Sequence, residues 1–90
     1  MKTIWKYKVR VDDCVCVGLP KGYKILKFGK QNGNYYIWAL VDTMIDVGFY
    51  NFSVVGTGNN ITDKFLKDHK YVDTWIENDG PFVWHLFKEI

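Results

Sequence analysis

Residues 23–41 read Tyr-Lys-Ile-Leu-Lys-Phe-Gly-Lys-Gln-Asn-Gly-Asn-Tyr-Tyr-Ile-Trp-Ala-Leu-Val, and this stretch decides the fold. Two runs rich in aromatic and branched residues, which suit strands, flank Asn32-Gly33. Asn-Gly tolerates the positive φ that a tight hairpin turn demands. A two-residue turn there fixes the register: Phe28 opposite Ile37 and Leu26 opposite Ala39 on one face, Lys27 opposite Trp38 on the other. Residues 36–41 are unbroken apolar, which predicts a central strand covered on both faces.

Working outward, residues 4–11 alternate. Trp5, Tyr7, Val9 and Val11 share one face and Lys6, Lys8 and Arg10 the other, the period of a half-buried strand. Residues 14–19 are apolar on both faces and end in the turn residues Pro20-Lys21-Gly22. On the C-terminal side, residues 42–48 form a connection. Residues 49–55 resume alternation, with Phe49, Asn51 and Ser53 against Tyr50, Phe52 and Val54. Gly56-Thr57-Gly58-Asn59-Asn60 breaks that strand. Thr62 can cap a short helix over residues 63–68, with Ile61 and Leu66 at staple positions. One and a half turns need tertiary support, so the helix must pack on the sheet. Residues 71–77 and 82–87 make a last hairpin around Asn78-Asp79-Gly80-Pro81. It pairs Glu77 with Phe82, Trp75 with Trp84 and Val72 with Phe87. The reading is mainly β: residues 1–90 as a single domain, one compact antiparallel sheet of six to seven strands curled into a barrel or sandwich, and one short helix near residues 63–68.

Six Phe, six Tyr and four Trp in 90 residues exceed what one sheet face needs. A chain that is 48% apolar can offset its ordering entropy, which excludes intrinsic disorder. Trp5, Tyr7, Phe28, Tyr50 and Phe52 fall on regular apolar faces and are candidate core. The net charge is +2 and eleven of the twelve basic residues are Lys, with Arg10 the single Arg. Balanced charge and scarce Arg disfavour direct nucleic-acid binding. The charge is nevertheless divided along the chain. Residues 1–34 hold eight basic residues against Asp12 and Asp13, whereas residues 35–90 hold four Lys against eight carboxylates. Such opposite-signed halves permit self-association into a homo-oligomer. No apolar run is long enough to span a membrane as a helix. The N-terminus lacks the apolar stretch of a signal peptide, so a cytoplasmic protein with reduced Cys14 and Cys16 is expected.

The motifs carry little chemistry. Cys14-x-Cys16 with His69 and His85 matches no usual zinc spacing, so no metal or other cofactor is expected, and the thiols read as small buried hydrophobes. Gly56-Thr57-Gly58 stands before a helix, where phosphates bind, but neither a third glycine nor a Lys-Ser/Thr pair follows. It reads first as a turn needing two permissive glycines. Gly56, Thr57, Gly58, Asn59 and Asn60 remain the candidate ligand-binding residues for a nucleotide or small molecule. His85, opposite Thr74, reads as a hydrogen-bonded structural residue, because no nucleophile, base and orienting group can be assembled. An enzyme is not expected. Lys6, Lys8, Arg10 and Lys27, with the surplus rings Tyr35, Tyr36, Trp38 and Phe49, are the candidate partner-binding surface.

Five segments in order add a resemblance: Ile4-Trp5-Lys6-Tyr7, residues 19–26 (Leu-Pro-Lys-Gly-Tyr-Lys-Ile-Leu), Trp38-Ala39-Leu40-Val41-Asp42, Val55-Gly56-Thr57-Gly58 and Val83-Trp84-His85-Leu86-Phe87. Together they resemble a family of small bacteriophage- and prophage-encoded proteins that is a domain of unknown function. The family pattern often has His and Pro after the Gly-Thr-Gly turn, where this chain has Asn59 and Asn60. The resemblance implies a phage origin and action in the cytoplasm of an infected bacterial host. The expected function is a non-enzymatic binding protein that inhibits a host defence protein by occlusion, in an anti-CRISPR-like or other anti-defence role. The alternatives are a nucleotide or small-molecule binder that sequesters its ligand, and a minor virion or assembly component.

Overall fold

A computed structural model describes residues 1–78 and 80–90. The chain order is β1 (Lys2–Val9), β2 (Val15–Pro20), β3 (Lys24–Gln31), β4 (Asn34–Asp42), β5 (Val47–Gly56), α1 (Asp63–Asp68), β6 (His69–Ile76) and β7 (Val83–Glu89). The strands form two antiparallel sheets, β1-β4-β3 and β2-β5-β7-β6. The molecule measures 40 × 33 × 16 Å, the depth of two sheets packed face to face about 10 Å apart.

The opening hairpin forms at the expected turn. Asn32 and Gly33 have φ of 51° and 81°, the two positive values of a tight primed turn. Phe28 faces Ile37 and Lys27 faces Trp38. Leu26 does not face Ala39, because a bulge at Leu26 puts Ile25 there instead. The bulge sends Ile25 into the core and leaves Leu26 exposed. β4 is central in its sheet but covered on one face only. Ile37, Ala39 and Val41 are buried, while Tyr36, Trp38 and Leu40 are half-buried on the outer face.

The inner faces close on Phe28, Phe52, Leu19, Ile37, Leu86 and Val41, each worth about 1.5–3 kcal/mol on burial. Trp5 is 47% exposed and Val11 lies beyond β1, so neither is core. Ser53 is buried where alternation predicted a wet position, with its hydroxyl donating to the Asp13 carbonyl. Cys14 and Cys16 are exposed rather than buried: β2 turns Val15, Val17 and Leu19 inward and Cys16 outward, and Cys14 precedes the strand.

A closed barrel does not form. β3 and β6 run side by side at the seam without a backbone ladder, and each carries a bulge there, at Leu26 and at Val72. The second bulge pairs Tyr71, not Val72, with Phe87. Side chains bridge the gap. The Phe28 N–H donates to Asp73 Oδ2 at 2.8 Å, and Lys27 Nζ lies 3.3 Å from the same oxygen. The Tyr35 hydroxyl donates to the Glu77 carboxylate, which Lys30 Nζ reaches at 3.2 Å. The result is a sandwich closed along one edge by Asp73 and Glu77.

Trp75 and Trp84 are directly opposed as expected, and the Glu77 N–H donates to the Phe82 carbonyl at 3.2 Å. The turn expected at Asp79-Gly80 reaches Asp79, outside the described residues. Thr62 caps α1 by accepting the Phe65 N–H at 3.0 Å. The helix docks through Phe65, edge-on to Phe87 at 5.2 Å. Ile61 and Leu66 are both exposed, so the expected staple does not hold the helix. Among the described residues no helix is long and apolar enough to cross a membrane.

Candidate functional site

The outer face of the first sheet is a grid set by two registers. Its rows across β1, β4 and β3 are Ile4–Leu40–Lys24, Lys6–Trp38–Lys27 and Lys8–Tyr36–Gly29. Apolar and aromatic side chains occupy the middle strand, and lysines flank it on both sides. Alternation produces this directly: β1 turns Tyr7 and Val9 inward and sets Lys6 and Lys8 on the outer face.

Lys6 Nζ stands 4.5 Å from the centre of the Tyr36 ring and donates to Gln31 Oε1 at 2.9 Å. The Tyr36 and Trp38 rings lie 5.9 Å apart at 57°. Trp75 reaches over the seam. A Cβ on Gly29 would stand 3.3 Å from Trp75 Cε3 and 3.6 Å from Trp38 Cζ3, so both indoles meet above the same glycine. Lys27 Nζ is 5.8 Å from the Trp75 ring centre. Among the described residues Lys6, Lys8 and Lys24 form no ion pair, whereas Lys27 and Lys30 are held by Asp73 and Glu77. Asp73 and Glu77 therefore border the face on the β6 side, each beside a lysine, and at its far end Asp42 binds the N-terminal ammonium at 3.0 Å. The Met44 N–H first, and then that ammonium, hold Asp42 below the usual carboxylate range.

The candidate partner residues therefore separate. Lys6, Lys8, Lys27, Tyr36 and Trp38 come together on this face. Tyr35 does not: it points inward, stacks on Phe28 at 6.1 Å and accepts the Trp84 Nε1–H at 3.1 Å. Phe49 is 76% exposed, but it pairs with Gly18 on the outer face of the other sheet. Arg10 lies past the end of β1, 3.8 Å from Asp12. Trp75 belongs to the face, and sequence reasoning missed it. Its one signal was Gly29, a glycine inside a strand, which marks close approach of another group.

The Gly56–Asn60 segment lies on the opposite side of the molecule. Gly58 has φ +92°, but Gly56 has no positive φ. An added Cβ on Gly56 would stand 3.2 Å from Trp84 and 3.3 Å from Asn59, so it is small for space rather than for conformation. Asn59 and Asn60 line a cavity of about 480 Å³ under α1, with Ser53, Phe65 and His69. Asp13, Asp68 and Glu89 also line it, and among the described residues no Lys or Arg does. Such a lining repels phosphate. Lys64 Nζ bonds Asp68 at 2.7 Å and lowers the pKa of that carboxyl.

Gly56, Thr57 and Gly58 do not line the cavity. Thr57 instead joins His85, since the β5–β7 register sets Val55 opposite His85. His85 Nε2 is 2.7 Å from Thr57 Oγ1, and Nδ1 is 2.9 Å from Thr74 Oγ1. Thr74 in turn lies 2.7 Å from the Tyr71 hydroxyl. Both ring nitrogens are satisfied by hydroxyls, which fixes the ring. The pairing of Thr57 with His85, 28 residues apart, had no local signal.

The chain belongs to the family described as "Domain of unknown function (DUF7352)", whose model matches residues 1–90. No curated protein and no solved structure gives a significant match.

Proposed function

We propose that this chain is a non-enzymatic binding protein that acts by occlusion, with the outer face of the β1-β4-β3 sheet as its contact surface. The observation that supports this reading is the juxtaposition of Tyr36, Trp38 and Trp75 with Lys6, Lys8 and Lys24. Interface centres are enriched in aromatic side chains, and unpaired charge accelerates the encounter with an oppositely charged target. The resemblance to phage and prophage proteins supports the finer reading, an inhibitor of a bacterial host defence protein acting in the cytoplasm of the infected cell. Affinity capture from expressing bacteria tests both. The wild-type chain should recover a host assembly and rescue phage from the corresponding defence system, and Trp38→Ala with Lys8→Glu should lose both. Equal recovery by the variant would refute the contact surface.

A second reading is favoured by the cavity beside Asn59 and Asn60, whose volume of about 480 Å³ falls in the range of small-molecule sites. Its lining suits a neutral or cationic molecule. Calorimetry with the wild type and Asn59→Ala tests that reading, and the absence of any heat across a library of such molecules would end it.

A further inference from the structure

We infer that the lysine–aromatic face binds single-stranded nucleic acid. The inference rests on the reading of this face as the contact surface, and it gives that surface a nucleic-acid strand as its ligand, with a protein target as the other outcome of the test. Overall composition argued against such a ligand, but the fold redistributes the charge. Lys6, Lys8 and Lys24 stand on one face free of ion pairs among the described residues, and the carboxylate at its far end, Asp42, is already held by the N-terminal ammonium. Between the lysines lie the Tyr36 and Trp38 rings, and the half-buried Trp75 adjoins Trp38 from the far side of β3, over Gly29.

The rings decide between nucleic acid and an acidic protein. A carboxylate gains from lysine but is repelled by the negative face of an aromatic ring. A base stacks on that face, on Tyr36 by displacing the Lys6 ammonium that stands over the ring, while its phosphate meets the lysine, so a strand uses both components of the grid. The strand must be single. The Tyr36 and Trp38 planes are tilted by 57°, so they serve successive bases only when those bases are splayed apart, and duplex bases are stacked on one another. A flat sheet face also offers neither a helix nor a ribbon to enter a groove. Lysine meets phosphate as a point charge without bidentate readout, so the binding is sequence-tolerant.

The test uses the full chain, fluorescein-labelled twelve-nucleotide oligo-dT and oligo-U, and a duplex and poly-glutamate as controls. Anisotropy should show saturable binding of both single strands with quenching of tryptophan emission. Trp38→Ala should weaken it about 5- to 150-fold, the range for one lost stacking platform. Three phosphates neutralised by Lys6, Lys8 and Lys24 predict a log–log salt slope of about −2.1, hence roughly twentyfold weaker binding at 200 mM than at 50 mM salt. Lys8→Glu, exposed and remote from the core, should lower affinity without changing the unfolding temperature, which separates binding from folding. No binding of either oligonucleotide at millimolar protein overturns the inference, as does tighter binding of poly-glutamate or of duplex. If Trp38→Ala loses its captured host assembly while the wild type ignores oligonucleotides, the contact surface survives and the nucleic-acid inference falls. If oligonucleotide binding is indifferent to both Trp38→Ala and Lys8→Glu, this face is not where they bind, and the inference falls.

Discussion

Replacing Asp73 with Ala should unfasten the edge of the sandwich. Its carboxylate makes three contacts. Oδ2 accepts the N–H of Phe28, a fully buried residue. Oδ1 accepts the Thr74 N–H at 2.8 Å. Lys27 Nζ approaches at 3.3 Å from a half-exposed position. An orphaned amide at a buried residue costs about 1–3 kcal/mol. The ion pair adds about 0–1 kcal/mol because water screens it, and the Thr74 N–H can turn to solvent. The expected loss is about 1–4 kcal/mol, which for a domain of this size lowers Tm by roughly 4–30 °C. Asp73→Asn keeps one acceptor and should lose about half as much. Urea titration followed by tryptophan fluorescence measures the loss, and amide exchange at Phe28 locates it. If Asp73→Ala stays within about 0.5 kcal/mol of wild type, or if Phe28 remains protected from exchange, then the carboxylate does not hold the seam and the argument fails.

Among the described residues the buried Tyr23 hydroxyl has no hydrogen-bond partner, and burial first, then the neighbouring Tyr50, pushes its pKa up to about 12. Its contribution to stability is therefore present below about pH 10 and is lost as pH rises toward 12. Absorbance titration should show a late tyrosine that vanishes in Tyr23→Phe, a variant otherwise close to neutral in stability. Gly48→Ala would place a Cβ 2.8 Å from the Tyr50 hydroxyl. It should destabilise by about 1–3 kcal/mol, read by thermal unfolding. Asp42, held below the usual carboxylate range, contributes stability above about pH 4 that disappears as pH falls through its lowered pKa. Carboxyl-detected NMR should find it ionised after ordinary aspartates have protonated, and Asp42→Asn should flatten the acid limb of the stability curve.

Local patterns carried most of the fold. Alternation placed β1, Asn-Gly placed the first hairpin, and a capping threonine placed α1. The two bulges were not legible. Leu26 and Val72 are ordinary strand residues, and what displaces them is the approach of β3 to β6, residues about 45 apart. The barrel expectation failed there, because a curled sheet and a sandwich share every local signal and differ only at that seam. For the face, sequence supplied Lys6 and Lys8 through period-two alternation, Lys27 opposite Trp38 through the hairpin register, and Tyr36 as one of the surplus rings. It also promoted Tyr35 and Phe49, because a surplus of rings is a count and does not say which side of a sheet each ring takes. Trp75 was missed as part of the face because its neighbours come from another sheet.

The division of strands between sheets bears on synthesis. All three strands of the first sheet lie within residues 2–42, yet β2, threaded between two of them, belongs to the second sheet and pairs only with β5. As the chain leaves the ribosome, the first sheet can close while Val15, Val17 and Leu19 still await a partner some thirty residues behind. During that interval β2 is an unpaired apolar edge, the kind of segment that captures a neighbouring chain. Crowded polysomes should therefore aggregate through this strand, and a charged residue at its outward position Cys16 should raise soluble yield while leaving the finished molecule's stability unchanged.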